Sequence, residues 1–393
     1  MNYIAKYVVV ISILLIWFSP VQAQKAASSD FELVESTPVG TTLDNPDIRD
    51  AHEVWLEMIN GAKKSLDIEQ FYISNEQGEP LEDIIQAVEK AAARGVTVRV
   101  IADARMSKTY PETIERLGAR KNVSTRIIDF GKLSAGILHA KYFIVDNESV
   151  FLGSQNFDWR ALKHIHELGV RIRHKEAAQF YTDIFDLDWN LAATNDRASI
   201  PHFLTQKSYR TPFHLIQGTD TLTFIPTASP VGLLPDSTSW DEPNIVRLID
   251  GAKAELCLQF LAYDIKARDK SEYRMLDDAI RRAAARGVKV RVIISDWEKG
   301  SSGEKALKEL SQIPNIEVKF SVIPEWSGGY ISFARVEHCK YIVADGSSFW
   351  LGTSNAEKSY FYTVRNVGVV VKNKRLGGLL QRVFIKSWKG PYT

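Results

Sequence analysis

The sequence predicts an α/β protein made by duplication: two β-sheet lobes flanked by helices and related by a pseudo-twofold axis. Three observations carry this. Ile59-Asn60-Gly61-Ala62-Lys63 returns as Ile249-Asp250-Gly251-Ala252-Lys253. Each block leads into a strand-like run (Leu66 to Ile73, Leu256 to Tyr263) and then an amphipathic stretch closing on Ala91-Ala92-Ala93-Arg94-Gly95 or Ala283-Ala284-Ala285-Arg286-Gly287, with Gly suited to a helix C-cap. An alternating β-branched run follows each glycine, Val96 to Ala102 and Val288 to Ser295, so the order helix, glycine, strand occurs twice.

Taken in chain order, Lys6, the apolar run Tyr7 to Phe18, Pro20 and Val21-Gln22-Ala23 have the pattern of an export signal cleaved after Ala23. The run is short of the roughly 20 apolar residues of a spanning helix, so no transmembrane helix is expected in the mature chain. Residues 24–46, rich in small and polar side chains, are expected to form a flexible lead-in. The first half is assigned to residues 47–205 and the second to 206–393, with the boundary inside the loop-like region Asn195 to Thr219. The chain of 393 residues has a formal net charge of only +1, so its bulk electrostatics demand neither nucleic acid nor an anionic membrane. Cys257 and Cys339 lie in apolar runs and are read as buried small hydrophobes rather than a disulfide framework.

The chemistry lies near the end of each copy. Leu138-His139-Ala140-Lys141-Tyr142-Phe143-Ile144-Val145-Asp146 is matched by Glu337-His338-Cys339-Lys340-Tyr341-Ile342-Val343-Ala344-Asp345. Downstream, Gly153-Ser154-Gln155-Asn156 matches Gly352-Thr353-Ser354-Asn355, and Leu168-Gly169-Val170 matches Val367-Gly368-Val369, at identical spacing from the histidine. Side chains at i and i+2 of a strand share a face, so His139 projects with Lys141, and His338 with Lys340. Polar pairs in apolar strands are costly unless used, and their duplication speaks against accident. Brought face to face, these residues make a cationic pocket for phosphate. Lys141 and Lys340 neutralise its oxygens, Asn156, Asn355, Ser154 and Thr353 add neutral contacts, and the two imidazoles supply nucleophile and proton donor. Neither metal ion nor cofactor is called for. Asp146 and Asp345 complete the catalytic motif, with the turn after each strand as their expected station.

A His-x-Lys-x-x-x-x-Asp motif followed by Gly-Ser/Thr-x-Asn, twice in one chain, resembles the phospholipase D superfamily across nearly the whole mature sequence. The resemblance implies the duplicated α/β/α sandwich fold and a two-step reaction through a covalent phosphohistidine. It also implies that an acidic residue downstream of the motif orients the histidine. On that basis Glu167, whose equivalent in the second copy is Asn366, is assigned to His139, making His139 the nucleophile and His338 the general acid. Glu69 and Gln259 hold equivalent places in the first strands and fit either the pocket or a satisfied sheet centre. Phe157-Asp158-Trp159-Arg160 and Pro324-Glu325-Trp326-Ser327-Gly328-Gly329-Tyr330 are candidate rims.

The resulting expectation is an exported phosphodiesterase, periplasmic or secreted, with phospholipid head groups as lead substrate and peripheral membrane contact. Single-stranded nucleic acid follows closely: Gly153-Ser154-Gln155-Asn156-Phe157-Asp158-Trp159-Arg160 is similar to the endolysosomal single-strand exonucleases of the superfamily, and Trp159, Trp326 and Tyr330 offer stacking surfaces. The absence of a dense Lys/Arg stripe counts against it. Phosphatidyl transfer, as in cardiolipin synthases, ranks third. A non-catalytic phosphate-binding module ranks last, because both His-Lys pairs and both asparagines are intact.

Overall fold

The computed structural model describes residues 29–267 and 269–393; the expected leader, residues 1–23, lies outside the described residues. The first half contributes β1 (Phe31–Ser36), β2 (Arg49–Asp50), β3 (Ser65–Gln70), β4 (Ile73–Ser74), β5 (Thr97–Asp103), β6 (Val123–Ile128), β7 (Lys141–Val145), β8 (Ser149–Gly153), β9 (Phe157–Asp158) and β10 (Glu167–Arg173). The second contributes β11 (Phe213–Gln217), β12 (Asp220–Ser229), β13 (Glu255–Phe260), β14 (Lys289–Ser295), β15 (Ile316–Ser321), β16 (Tyr341–Ala344), β17 (Ser348–Gly352) and β18 (Asn366–Lys372). They form two mixed eight-stranded sheets, ordered β2-β1-β10-β8-β7-β3-β5-β6 and β11-β12-β18-β17-β16-β13-β14-β15, while β4 pairs separately with β9. From β10 and β18 onward the two orders run in step, which is the expected duplicated fold.

The helices follow the apolar spacing read from the sequence. Helix Pro80–Ala93 opens with Pro80 in its first turn and buries Leu81, Ile84, Ile85, Val88, Ala91 and Ala92 along one stripe. Helix Met275–Ala285 buries Leu276, Ala279, Ile280, Ala283 and Ala284 in the same way. Each ends on an arginine followed by a glycine with positive φ, Gly95 at 97° and Gly287 at 87°, before β5 or β14 begins. These helices build the outer layer of each half. Helices Lys175–Thr194 and Lys374–Lys389 bury Phe180, Tyr181, Ile184, Leu380 and Phe384 in one core shared by both sheets, which fixes the halves against each other.

Two expectations are corrected. The segment expected as a flexible lead-in contains β1, every residue of which is buried, paired antiparallel with β10 from Phe31↔Ile172 to Ser36↔Glu167. Its polarity misleads because its charges are satisfied inside: Glu32 meets Arg49 at 3.3 Å and Arg171 at 2.8 Å, and Glu35 accepts from the Asn45 backbone N–H at 2.6 Å. The region expected as a linker likewise includes β11, which forms a hairpin with β12 at the edge of the second sheet. Cys257 and Cys339 are buried free thiols, as read from their apolar settings.

Candidate active site

The motif strands β7 and β16 lie at the centres of their sheets, and two crossed backbone bridges join the halves there. His139 N–H donates to Arg365 O (2.9 Å) and Arg365 N–H to Ile137 O (3.0 Å); His338 N–H donates to His166 O (3.0 Å) and His166 N–H to Val336 O (3.1 Å). Each histidine therefore stands beside the residue that precedes β10 or β18 of the other half. The consequence is a crossed arrangement of orienting groups. Glu167 Oε1 is hydrogen-bonded to His338 Nδ1, not to His139 as expected from its position in the first copy. His139 Nδ1 instead meets Asn366 Oδ1 at 3.1 Å. The Asn366 amide is held by Nδ2 donation to Tyr360 O (2.9 Å) and Val364 O (3.2 Å), and its Oδ1 also accepts from Thr353 Oγ1 (2.9 Å).

Lys141 and Lys340 are fully buried, and each Nζ donates at 2.6 Å to the carbonyl of the histidine two residues earlier. Burial first, then the charges of Lys141 and Lys340, holds His139 and His338 well below the ordinary imidazole value. Burial likewise depresses Lys141 strongly and pushes Lys340 down to about 7, while it raises Glu167 well above the carboxylate range. Four groups that could carry positive charge thus suppress one another in a dry site, and an entering anion reverses that cost. Asn156 Oδ1, Asn355 Oδ1 and Glu167 Oε2 are buried there without a hydrogen-bond partner, which leaves three acceptors open to a donor.

The pocket opens into a chamber of about 310 Å³ whose lining includes His139, His338 and Asn156 together with Phe71, Tyr72, Tyr110, Trp297, Phe333 and Tyr360. Phe71 and Tyr360 flank His139, with ring centroids 5.2 and 5.1 Å away, and Tyr72 stacks on Tyr110 at 5.2 Å. The Tyr360 hydroxyl accepts from Asn355 Nδ2 at 3.0 Å. Sequence reading missed these aromatics, since they come from segments far apart in the chain with no shared spacing. It noted Asn366 only as the counterpart of Glu167.

Other expected site residues take structural places. Asp146 accepts from the backbone N–H groups of Lys63, Lys64 and Ser65, and Asp345 from those of Lys253, Ala254 and Glu255. They lie at the far ends of the motif strands, roughly 17 Å from the lysines at the strand rise per residue, so neither touches the pocket. Ser154 Oγ accepts from Leu168 N–H and Thr353 Oγ1 from Val367 N–H, each at 3.1 Å, which ties the hydroxyls to β10 and β18 rather than to a substrate. Glu69 Oε2 and Gln259 Oε1 accept from the Tyr142 and Tyr341 hydroxyls at the sheet centres, while Glu69 Oε1 and Gln259 Nε2 are buried without a hydrogen-bond partner. Of the proposed rims, Trp159 packs beside His164 and Trp326 packs on its other side, while Tyr330 is exposed but does not line the chamber. Among the described residues, His166, Glu337 and Cys339 have ligand-type atoms within 4.8 Å of one another behind His338, with the imidazole and carboxylate already paired at 2.6 Å.

The same doubled arrangement is matched by a family model. The model described as "Cardiolipin synthase, PLD-like domain" fits residues 55–189 and 245–388, one span in each half. The chain belongs to the phospholipase D superfamily. It is 30% identical over 382 residues to phospholipase D Z of Dictyostelium discoideum, covering 92% of this chain and 90% of that protein. It is 32% identical over 402 residues to the 5′-3′ exonuclease PLD3 of Rattus norvegicus, covering 92% and 79%. The crystal structure of phosphatidylserine synthase from Haemophilus influenzae superposes with a TM-score of 0.64 at 15% identity, covering 91% of this chain and 86% of that one, and so shares the fold. Like its superfamily, this chain is a phosphodiesterase.

Proposed function

We propose that this phosphodiesterase cleaves single-stranded nucleic acid through a phosphohistidine on His139. The observation that carries the substrate is the aromatic lining of the reactive chamber: Tyr72, Tyr110, Trp297, Phe333 and Tyr360 line it together with the two histidines, and bases stack on aromatic rings without regard to sequence. The PLD3 relatives, named as 5′-3′ exonucleases, support the same reading. In the first step His139 Nε2 attacks phosphorus, the bond to the leaving oxygen breaks, and His338 gives that oxygen its proton. In the second, neutral His338 takes a proton from water, the water oxygen bonds to phosphorus, and the phosphorus–nitrogen bond returns its electrons to His139.

The crossed partners remove the ground on which Glu167 pointed to His139 as nucleophile, and the roles rest instead on what each backing group does. The Asn366 carbonyl oxygen accepts Nδ1–H of His139 without adding charge, leaving Nε2 as the lone-pair atom. The Glu167 carboxyl at His338 shares a proton with Nδ1, so the pair can supply the proton that the leaving oxygen needs. Lys141, Lys340, Asn156 and Asn355 are the groups placed to hold the phosphoryl oxygens. Phospholipid is the second reading. Trp297 and Phe333 are 50% and 64% exposed at the chamber lip, an apolar edge that a lipid surface would also accept, and the Dictyostelium relative is named as a phospholipase D. Among the described residues no helix is long and apolar enough to cross a membrane.

We further propose export, supported by Lys6, the run Tyr7 to Phe18 and Ala23; a mature N-terminus other than Gln24 on the exported protein would count against that cleavage. The deciding assay incubates the protein with end-labelled single-stranded oligonucleotide and with phosphatidylcholine vesicles, using His139→Asn as blank. Stepwise shortening of the oligonucleotide is expected. Choline release with the oligonucleotide intact would overturn the nucleic-acid reading.

A further inference from the structure

A second cavity, about 590 Å³ and nearly twice the volume of the reactive chamber, adjoins the chamber across Ile137. Ile137 lines both. The floor of this groove is the seam between the halves: Gly136 sits so close to the second half that a Cβ there would lie 1.8 Å from Thr363 O. The same seam continues through the bridge of Leu138 with Arg365 to the bonded pair His139 and Arg365, so groove and phosphate pocket lie along one backbone ladder. From Gly136 to His139 is roughly 10 Å of extended chain.

The groove walls carry Lys266, Lys270 and Lys358. Lys266 and Lys270 are exposed, and Lys358 donates to Ser271 Oγ at 2.9 Å and lies 3.5 Å from Asp269. Three carboxylates share the groove, but two are engaged with their own loops. Asp264 accepts from Lys266 N–H and the Ser302 hydroxyl, and Asp269 from the backbone N–H and hydroxyl of Ser271. Glu357 is the third. The groove therefore carries three ammonium groups and three carboxylates, and its exposed lysines, Lys266 and Lys270, stand on flexible stems that reach phosphates as point charges.

We infer that this groove is a binding track for the polynucleotide strand beyond the scissile phosphate, holding the nucleotides that follow the one seated in the aromatic chamber. The inference rests on the nucleic-acid reading above and adds the part of the substrate that sets affinity. A track with about twice the chamber's volume takes about two further nucleotides, so affinity rises with strand length and then levels off. The contacts are to phosphate, not to bases, so the gain is independent of sequence and weakens with salt.

The test measures kcat and KM for single-stranded oligonucleotides of two to eight nucleotides, alongside the small phosphodiester thymidine p-nitrophenyl phosphate. KM is expected to fall roughly tenfold between the shortest strands and a plateau near four nucleotides, at constant kcat. The double variant Lys266→Ala/Lys270→Ala is expected to lose most of that gain, with turnover of the nitrophenyl ester unchanged. A KM independent of length, or a double variant that keeps the full gain, would overturn the track while leaving the nucleic-acid reading standing. Failure to cut any oligonucleotide while the nitrophenyl ester is hydrolysed would overturn both.

Discussion

His139 and His338 occupy equivalent places in two copies of one motif, yet their surroundings differ in each direction. Behind His139 stands a neutral amide, Asn366, and around it the rings of Phe71 and Tyr360. Behind His338 stands a carboxyl, Glu167. The supports one layer further back differ too: Arg365 is paired bidentately with Asp188 at 2.6 and 2.7 Å, whereas its counterpart His166 is paired with Glu337 at 2.6 Å. Burial disfavours the His166 cation, and the Glu337 charge nevertheless raises it above its ordinary value. On the mechanism proposed above, duplication supplies a symmetric cage for phosphate, and the asymmetric backing suits His139 to attack and His338 to move the proton, as acid in the first step and base in the second.

The most forceful way to break that comparison is to remove each histidine separately. Both His139→Ala and His338→Ala should lower turnover of an alkyl phosphodiester by about 10⁴-fold or more, since nucleophile and acid act as a unit. A p-nitrophenyl ester separates them, because nitrophenolate leaves without a proton. His338→Ala should then give a burst of nitrophenolate and a trapped phosphohistidine on acid quench, and His139→Ala should give neither. A burst from His139→Ala alone would exchange the assigned roles.

Exchanging the backing groups is a smaller intervention. Glu167→Gln removes the carboxyl from His338, so its imidazolium loses a proton more readily and the alkaline limb of kcat/KM moves to lower pH. Asn366→Asp brings a carboxylate to His139, raises its basicity and moves the acidic limb to higher pH. Each should cost about 10²-fold in kcat. Opposite displacements of the two limbs are the signature, and movement of the same limb in both variants would deny separate roles.

The residues that form the cage were legible in the sequence because strand alternation and duplication together place His139, Lys141, His338 and Lys340 on facing surfaces. The partner of Glu167 was not legible. Sequence proximity links it to His139, but the bridges Leu138 with Arg365 and His166 with Glu337 cross between halves, and only the packing shows that. β1 escaped for a different reason. Its Glu32 and Glu35 are polar, and what holds them inside, Arg49 and Arg171 for Glu32 and the Asn45 amide for Glu35, shows only in the packing. The chamber aromatics gave no periodic signal: Phe71 and Tyr72 follow β3, Tyr360 sits in the short helix Lys358–Tyr362, and Tyr110, Trp297 and Phe333 come from three further segments.

The two motif aspartates give the mildest comparison, since here the halves agree. Asp146 and Asp345 sit in left-handed backbone at φ 57° and 53°, each in a tight turn closed by Glu148 N–H to Val145 O or Ser347 N–H to Ala344 O, with a second positive φ at Asn147 or Gly346. That turn suits the strand twist of a hairpin, and aspartate tolerates the conformation. Each carboxylate then gathers three backbone N–H groups from the segment entering β3 or β13. Asparagine keeps the turn but loses the charge, so Asp146→Asn and Asp345→Asn should each cost about 1 kcal/mol, discounted for exposure, with kcat unchanged. Burial works against the charged form of Asp345, but its three backbone donors hold it below the ordinary carboxylate value. Its contribution is therefore present above the unfolded value and lost as pH falls through the folded one. The stability difference between wild type and Asp345→Asn, measured by urea unfolding, should shrink on acidification. A loss of activity at neutral pH with stability intact would instead move these residues back into the chemistry.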